Sequence, residues 1–166
     1  MVITIGENNM RNEYCIYKGK KYEAEIHADT IQLFSKEKDE GFTNYVYLNG
    51  EISNETFIKV FDVKDAPPAH CLKFQVKYMG IFFDVSFGRI YRGTVTMYVE
   101  DDDIAAKCGF ERYEKIFFKK RITGEEIEEI KIDDNLLAEN LVDIAETKTT
   151  YIPKDKVIEW LYENIK

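Results

Sequence analysis

Apolar and polar residues alternate through the early part of the chain, which is the pattern of strands that bury one face. The alternation runs through residues 14–17, 22–26 and 31–35. Between these segments lie Lys18-Gly19-Lys20 and Ala28-Asp29, whose glycine and aspartate are typical of turns. The pattern therefore predicts a short antiparallel meander.

Two further short strands are predicted on either side of Asn49-Gly50, at residues 45–48 and 51–53. This dipeptide tolerates positive φ at both central positions, so it predicts a two-residue type I′ hairpin. Residues 57–63 predict another strand, which Pro67-Pro68 must end because proline cannot donate a ladder hydrogen bond. We therefore predict the boundary between two halves of the chain at these prolines.

The strand pattern begins again after the prolines. Residues 71–77, 81–87 and 94–100 are rich in aromatic and β-branched side chains, which favour strands. Asp101-Asp102-Asp103 then places carboxylates where they cap free amides, and Gly109 suits a helix end. A short helix is predicted between them.

Two more helical signals lie near the end of the chain. Thr123-Gly124-Glu125-Glu126 is a capping-box pattern and predicts a short helical turn, whereas residues 135–146 are ambiguous between helix and strand. Pro153 fits a first helical position, and a terminal helix over residues 153–164 is predicted. Its apolar stripe consists of Val157, Trp160, Leu161 and Ile165. The fold class predicted is α+β, mostly antiparallel β, with short helical turns and a C-terminal helix.

The two halves resemble each other. Residues 17–26 match residues 78–87 without a gap, with tyrosine, glycine, an aromatic, an acid and two apolar positions in the same order. Gly41-Phe42 corresponds to Gly109-Phe110, and the later Phe57-Ile58-Lys59 to Phe117-Phe118-Lys119. We predict a single domain over residues 1–166, with repeat units at about 14–66 and 71–130 and an extension at 131–166. Units of this size are expected to share one core.

Charge is distributed unevenly along the 166 residues. The net charge is -8, with 23 Lys and Arg against 31 Asp and Glu, which argues against duplex nucleic acid or an anionic membrane as partner. Residues 100–146 hold 15 acidic and 7 basic residues, so this segment carries the whole imbalance and the rest is neutral. Such a segment is either a solubilising surface or one that steers a basic partner.

The sequence lacks the common motifs for secretion, membrane insertion, metal binding and catalysis. The first residues do not form a secretory signal, no apolar stretch is long enough to span a membrane, and Cys15, Cys71 and Cys108 form no CxxC pair. We expect free thiols in a soluble, cytoplasmic protein. His27 and His70 have no metal-ligand spacing, and phosphate-binding and nucleophile-elbow motifs are absent, so no metal, cofactor or catalytic residue is expected.

Lysines and tyrosines cluster at one predicted turn. Lys18, Lys20 and Lys21, flanked by Tyr17 and Tyr22, fit either contact with single-stranded nucleic acid or a lysine-rich turn that protects a sheet edge. The turn is the preferred interpretation.

The same turn carries a family resemblance. Tyr-Lys-Gly-Lys-x-Tyr at residues 17–22, the strand at 31–35, Gly41-Phe42 and a later aromatic-x-Lys, all repeated from Tyr78, resemble small cytoplasmic immunity proteins of bacterial polymorphic and contact-dependent toxin systems. The resemblance implies a stoichiometric inhibitor that occludes the active site of a toxin domain and has no catalysis of its own. Many such toxin domains are basic nucleases, so it also implies an acidic surface that imitates phosphates.

These observations predict a partner-binding surface for a toxin domain. Its residues are Glu100, Asp101, Asp102, Asp103, Tyr113, Glu125, Glu126, Glu128 and Glu129. One alternative is a small-ligand-binding or adaptor domain, with an apolar pocket between the two β units lined by residues such as Phe82, Phe83 and Tyr98. Another is a hydrolase that joins Cys108 to His27 or His70. The toxin's identity and the oligomeric state are left open.

Overall fold

The computed structural model describes residues 12–91 and 93–165. As predicted, the described part of the chain is mostly antiparallel β sheet, with 56% of the described residues in strands, and it has a C-terminal helix. It divides into two compact units. We call the described residues 12–72 and 134–148 unit A, and residues 73–133 and 149–165 unit B. The boundary near Leu72 lies slightly beyond the predicted Pro67-Pro68.

The first three strands of unit A form an antiparallel meander, as the alternation predicted. The strands of unit A are β1 Glu13–Tyr17, β2 Lys20–Ile26, β3 Thr30–Ser35, β4 Thr43–Val46 and β5 Ile52–Asp62. They lie in the order β4-β5-β3-β2-β1. A 3₁₀ turn at Val63–Asp65 and the two prolines follow, and strand β6, Ala69–Tyr78, pairs with β1 through its first residues before the chain enters unit B.

Unit B continues from β6 with a second set of antiparallel strands. These are β7 Ile81–Tyr91, β8 Thr94–Val99, β9 Glu111–Arg112 and β10 Phe118–Thr123, in the order β6-β7-β8-β10-β9. Two last strands, β11 Glu129–Leu137 and β12 Ile144–Pro153, each have residues in both units. The ambiguous residues 135–146 are therefore the end of β11, a loop and the start of β12.

The positions of the type I′ turns differ from the prediction. At the β4–β5 connection Gly50 has a φ of 85°, but Asn49 is not in the positive-φ region. The Gly50 amide donates to the Tyr47 carbonyl (2.9 Å), so the turn is centred one residue earlier and Gly50 follows it as a bulge. Paired positive φ values occur instead at Lys18-Gly19 and Met79-Gly80.

The two α-helices of the described residues are both in unit B. Helix α1, Asp102–Cys108, begins after Asp101, whose carboxylate accepts the Ile104 amide (2.9 Å), and ends at Gly109 with a φ of 75°. Helix α2, Lys154–Asn164, has Pro153 as its N-cap residue rather than its first helical residue.

The apolar stripe of α2 packs into unit B. Val157 and Leu161 are buried, and the Trp160 ring lies 5.9 Å from Phe74 and 5.6 Å from Phe87, between ring centroids. The stripe ends at Leu161, because Ile165 lies past the last helical turn with extended backbone angles.

Each unit buries a set of apolar side chains. In unit A, Cys15, Ile31 and Leu33 are fully enclosed and pack with Tyr22, Phe42 and other aromatic or small residues. In unit B the most deeply buried include Met97, Ile122 and Ile130. Ile31 and Leu33 lie on the apolar face of the alternation at residues 31–35, because every second residue of a strand faces the same side.

Candidate functional site

Four consecutive carboxylates lie at the start of α1 in unit B. Glu100, Asp101, Asp102 and Asp103 are all exposed. The Asp101 side chain is occupied in capping the helix, and Asp102 forms an ion pair with Arg112 (Oδ1–Nη2 3.7 Å). Carboxylates at a helix start oppose the helix dipole favourably, so this run is tolerated by the fold while it concentrates negative charge.

Tyr113 lies at the same end of unit B as these carboxylates. Phe118 pairs with Val99 on one side and with Arg112 on the other, which places the loop after β9 beside the end of β8. The Tyr113 ring is 41% exposed and contacts Tyr98 (5.8 Å) and Phe117 (6.2 Å) through ring centroids. Desolvation, followed by the Glu114 carboxylate, raises the pKa of Tyr113. We call Glu100–Asp103 and Tyr113 the acidic end.

The remaining predicted residues are not brought to the acidic end as one surface. Thr123 pairs with Thr94 at the far end of the β8–β10 ladder, and Glu125 and Glu126 follow it. The ladder puts Thr123 roughly 17 Å along the strand from Phe118. Glu126 also accepts the Thr123 amide (2.7 Å), as the capping box predicted.

The last two predicted carboxylates are half-buried. The Glu128 carboxylate accepts the Gly80 amide (3.2 Å), which fixes the turn between β6 and β7. Glu129 is the first residue of β11. A carboxylate that already accepts a backbone amide stabilises its own fold and has less capacity for a partner.

The side chains of the lysine-rich turn contact other residues of unit A. The Asp39 carboxylate accepts the Tyr22 hydroxyl (2.6 Å) and the Lys20 ammonium (2.9 Å). These two contacts hold the pKa of Asp39 below its usual range. Lys18 pairs with Glu40 (3.7 Å), and Lys21 lies over the Tyr14 ring (4.3 Å).

This arrangement bears on both interpretations of the lysines. Tyr22 is only 6% exposed and stacks on Phe42, so its ring is not open to a nucleobase. The strands that flank the turn are paired farther along, β2 with β3 through Glu23–Ile26 and β1 with β6 through Glu13–Cys15. Edge protection by these lysines stays a prediction, and Lys18 and Lys20 also pair with Glu40 and Asp39 in the segment after β3.

A polar cluster in unit A was missed from the sequence. The two oxygens of Asp134, on β11, accept the Tyr14 hydroxyl (2.5 Å) and contact Nδ1 of His70 (2.8 Å). The Tyr14 and His70 rings stack with centroids 4.5 Å apart. Burial, followed by the Asp134 carboxylate, raises the pKa of Tyr14 well above its usual range. Asp134 lies 120 residues from Tyr14, and no local pattern signals their contact.

The other candidate chemistry is accounted for residue by residue. His27 contacts Glu25 (3.4 Å), His70 contacts Asp134, and Cys108 is buried at 3% exposure. Burial raises the pKa of Cys15 to about 12, as expected for an inert thiol. Within residues 12–91 and 93–165, no group of three His, Cys, Asp or Glu side chains is placed to hold a metal ion.

The three residues named for an apolar pocket do not share a face. Phe83 is buried and packs on Phe110 (4.9 Å), whereas Phe82, its neighbour on β7, lies on the opposite face and contacts Tyr151 (6.3 Å). Tyr98 pairs across the ladder with Asp84, on the Phe82 side. Phe82 and Phe83 therefore do not line one cavity within unit B.

In the part of the chain that the structure describes, no helix is long and apolar enough to cross a membrane.

Comparisons with known proteins identify a family. Neither the curated proteins nor the solved structures gave a significant match. Residues 10–139 match the model of a family described as uncharacterised conserved protein UCP033725. Because the match covers more than half of the chain, the protein belongs to this family.

Proposed function

We propose that the protein is a non-enzymatic immunity protein, which binds and neutralises a basic, nuclease-like toxin domain in the cytoplasm through the acidic end. The observation that carries this proposal is the position of Tyr113 beside four exposed carboxylates. Exposed Ile116 in the same loop adds apolar surface. An interface of this kind combines a central aromatic contact with a charged rim.

The charge of the acidic end supports a basic partner. Three cations lie close to it: Arg112 pairs with Asp102, Lys119 lies over the Tyr113 ring (5.4 Å), and Lys115 is exposed in the same loop as Tyr113. Glu100 and Asp103 have no ion pair among the described residues. Carboxylates spaced along an exposed segment offer a basic toxin an alternative to the phosphates of its nucleic acid, and they accelerate encounter at low salt.

The aromatic contact is already ordered before any partner arrives. Tyr113 is held against Tyr98 and Phe117, and its amide donates to the Phe117 carbonyl (3.1 Å). A ring that is fixed in the free protein loses little conformational entropy on binding. Tyr113 is therefore the residue of this surface from which we expect the largest single contribution to affinity.

The proposed surface leaves out the residues from Glu125 to Glu129. Glu126 and Glu128 accept backbone amides, and the Glu125 carbonyl accepts the Lys154 ammonium (3.1 Å). Asp101 also accepts a backbone amide, so what separates this segment from the acidic end is its position at the opposite end of the β8–β10 ladder. The partner-binding residues that we propose are thus Glu100, Asp101, Asp102, Asp103 and Tyr113.

We also infer that the two units are related repeats of which only unit B carries the partner surface. In unit A, Leu33 pairs with Ala24 on one side and with Lys59 on the other. In unit B, Met97 pairs in the same way with Val85 and Lys120. By this correspondence Lys59 is equivalent to Lys120. The sequence alignment instead pairs Lys59 with Lys119, one residue earlier.

The test begins with the gene beside that of this protein, which the proposal expects to encode a basic, nuclease-like toxin domain. Co-expression is expected to rescue bacteria that produce this domain, and stopped-flow mixing gives its association rate. We expect Asp101→Asn, Asp102→Asn and Asp103→Asn together to lower that rate at least tenfold at low salt, with a smaller effect at high salt. Asparagine at position 101 preserves the helix cap, so the fold is retained.

Matched controls separate the surface from the function. Glu51→Gln, Glu55→Gln and Glu139→Gln remove the same charge from exposed positions of unit A and should leave the rate nearly unchanged. Tyr113→Ala should raise the dissociation rate. If the toxin domain binds tightly and none of these substitutions changes its rates, the acidic end is not the binding surface. If it neither binds nor is neutralised, the protein is not its immunity protein.

A further inference from the structure

Strand β12 is exposed along almost its whole length. Of its ten residues, Ile144–Pro153, all but Ile152 are exposed to solvent. Among the described residues β12 pairs only with β11, so its outer edge has backbone amides and carbonyls without a ladder partner. An unpaired strand edge of this length is a template for another strand.

The other strand edges of the two units are less suited to pairing. In unit A, β4 has four residues, and its pairing with β5 shifts register between Asn44 and Val46. In unit B, β9 has only two residues. Short strands and bulges are the usual protection against edge pairing, and β12 is much longer than either. Its proline comes only at the end, at position 153.

The charges of β12 are self-complementary about one position. Glu146 and Lys148 are its only charged residues, and they flank Thr147. If two copies of β12 pair antiparallel with Thr147 opposite Thr147, Glu146 of each copy lies opposite Lys148 of the other. Opposite charges at directly facing positions stabilise a strand pair.

Other registers lack this complementarity. The smallest shift that keeps every side chain on its own face is two residues. A shift in one direction places Lys148 opposite Lys148, and a shift in the other places Glu146 opposite Glu146. Like charges at facing positions are destabilising, so the sequence of β12 specifies one register.

We propose that β12 binds β12 of a second copy of this chain in an antiparallel pair centred on Thr147. Neither Glu146 nor Lys148 has an ion pair among the described residues, so both are available to a partner. The pairing uses one strand from each copy and therefore buries little surface, which predicts a weak dimer that dissociates on dilution. This proposal does not depend on the toxin or on the acidic end.

Sedimentation velocity over a range of concentrations tests the pairing. The unaltered chain should pass from monomer to dimer as its concentration rises. Glu146→Lys and Lys148→Glu should each raise the dissociation constant at least tenfold, because each change places two pairs of like charges across the axis. The double variant Glu146→Lys, Lys148→Glu recreates both opposite-charge pairs and should restore the dimer.

A matched control excludes an effect of net charge. Glu163→Lys changes the net charge as Glu146→Lys does, at an exposed position of α2, and should leave the dimer intact. Circular dichroism and thermal unfolding of each variant establish that it is folded. A chain that is monomeric at every concentration, or a double variant that stays monomeric while folded, would overturn the proposal and point to a different occupant of the edge.

Disulfide formation tests the register directly. Thr147→Cys should form an intermolecular disulfide on mild oxidation, because the two residues face each other across the axis. Thr149→Cys is the control, since its two copies would lie about 13 Å apart along the strands. The natural cysteines are buried or half-buried and provide the background. Equal cross-linking at both positions would contradict the register.

Discussion

The first hairpin turns of the two units have the same backbone and different chemistry. In unit A, Lys18 and Gly19 have φ values of 49° and 75°, and in unit B, Met79 and Gly80 have values of 50° and 79°. The lysine after the turn in unit A, Lys20, is replaced in unit B by isoleucine. The backbone turn is therefore independent of the charged side chains around it.

The aromatic contacts below the turns are also shared. Tyr22 stacks on Phe42 with centroids 5.0 Å apart, and the corresponding Phe83 and Phe110 lie at 4.9 Å. A lysine on the last long strand lies over the first tyrosine in each unit: Lys59 over Tyr17 (5.9 Å), and Lys120 over Tyr78 (5.7 Å). The comparison indicates that rings and glycines define the unit, whereas the network around Asp39 belongs to unit A alone.

Exchanging the aromatic residues at positions 22 and 83 should give the largest change in the free energy of unfolding. Phe83→Tyr introduces a hydroxyl at a site with 2% exposure, and we expect a loss of about 1–3 kcal/mol in the free energy of unfolding from a buried group without a partner. Tyr22→Phe removes one hydrogen bond while Asp39 keeps Lys20, so we expect about 1 kcal/mol. Urea unfolding measures both. A neutral Phe83→Tyr would mean that unit B also offers the hydroxyl a partner.

A smaller effect is expected at the paired glycines before Phe42 and Phe110. Gly41 and Gly109 have φ values of 83° and 75°, and a Cβ atom would lie 2.7 Å from Lys59 Nζ and 3.1 Å from Lys120 Nζ, respectively. Alanine at either position should cost about 1–2 kcal/mol, because this backbone region disfavours side chains.

The comparison between the two glycines sharpens this prediction. The closer approach at Gly41 predicts that Gly41→Ala is the more harmful change, although the end of a lysine side chain can move aside. Gly19→Ala is the control for backbone strain without crowding, since no atom lies within 4 Å of the added carbon. If all three substitutions cost the same, the lysines contribute nothing to the requirement for glycine.

The parts of the fold that the sequence predicted are those specified by neighbouring residues. The alternation of residues 22–26 marks a strand face, and Asp101 and Gly109 mark the ends of α1, because each signal acts within one turn or one pleat. Residue preference predicts a type I′ turn at Asn49-Gly50, whereas the paired positive φ values occur at Lys18-Gly19. Strand twist and pairing decided where that turn formed.

The candidate site depends on pairing that local patterns do not contain. The segments around Glu100 and Glu125 are both rich in acidic residues. The β8–β10 ladder nevertheless places them at opposite ends of two strands. The contact of Asp134 with Tyr14 likewise depends on which strands become neighbours. The connecting segments differ in length between the two halves. As a result, the sequence alignment pairs Lys59 with Lys119, one residue away from Lys120, which occupies the equivalent place in the sheet.

The pH dependence of stability should show the smallest difference between the units. The folded-state pKa of Asp39 is lowered by the Tyr22 hydroxyl and then by Lys20. The carboxylate therefore stabilises the fold above its unfolded pKa near 3.8, and this contribution is lost as pH falls through the lower folded value. The thermal midpoint of Asp39→Asn should lie below that of the unaltered chain at pH 6, and the gap should close in strong acid.

Tyr22→Phe links this titration to the unit A network. In an Asp39→Ala background the change should have little further effect at any pH, because no side-chain oxygen remains at position 39 to accept the Tyr22 hydroxyl. In the unaltered background it should raise the folded-state pKa of Asp39 and move the loss of stability to higher pH. A constant gap between Asp39→Asn and the unaltered chain down to strong acid would assign the effect of Asp39 to packing, and the difference between the two turns would then be one of shape.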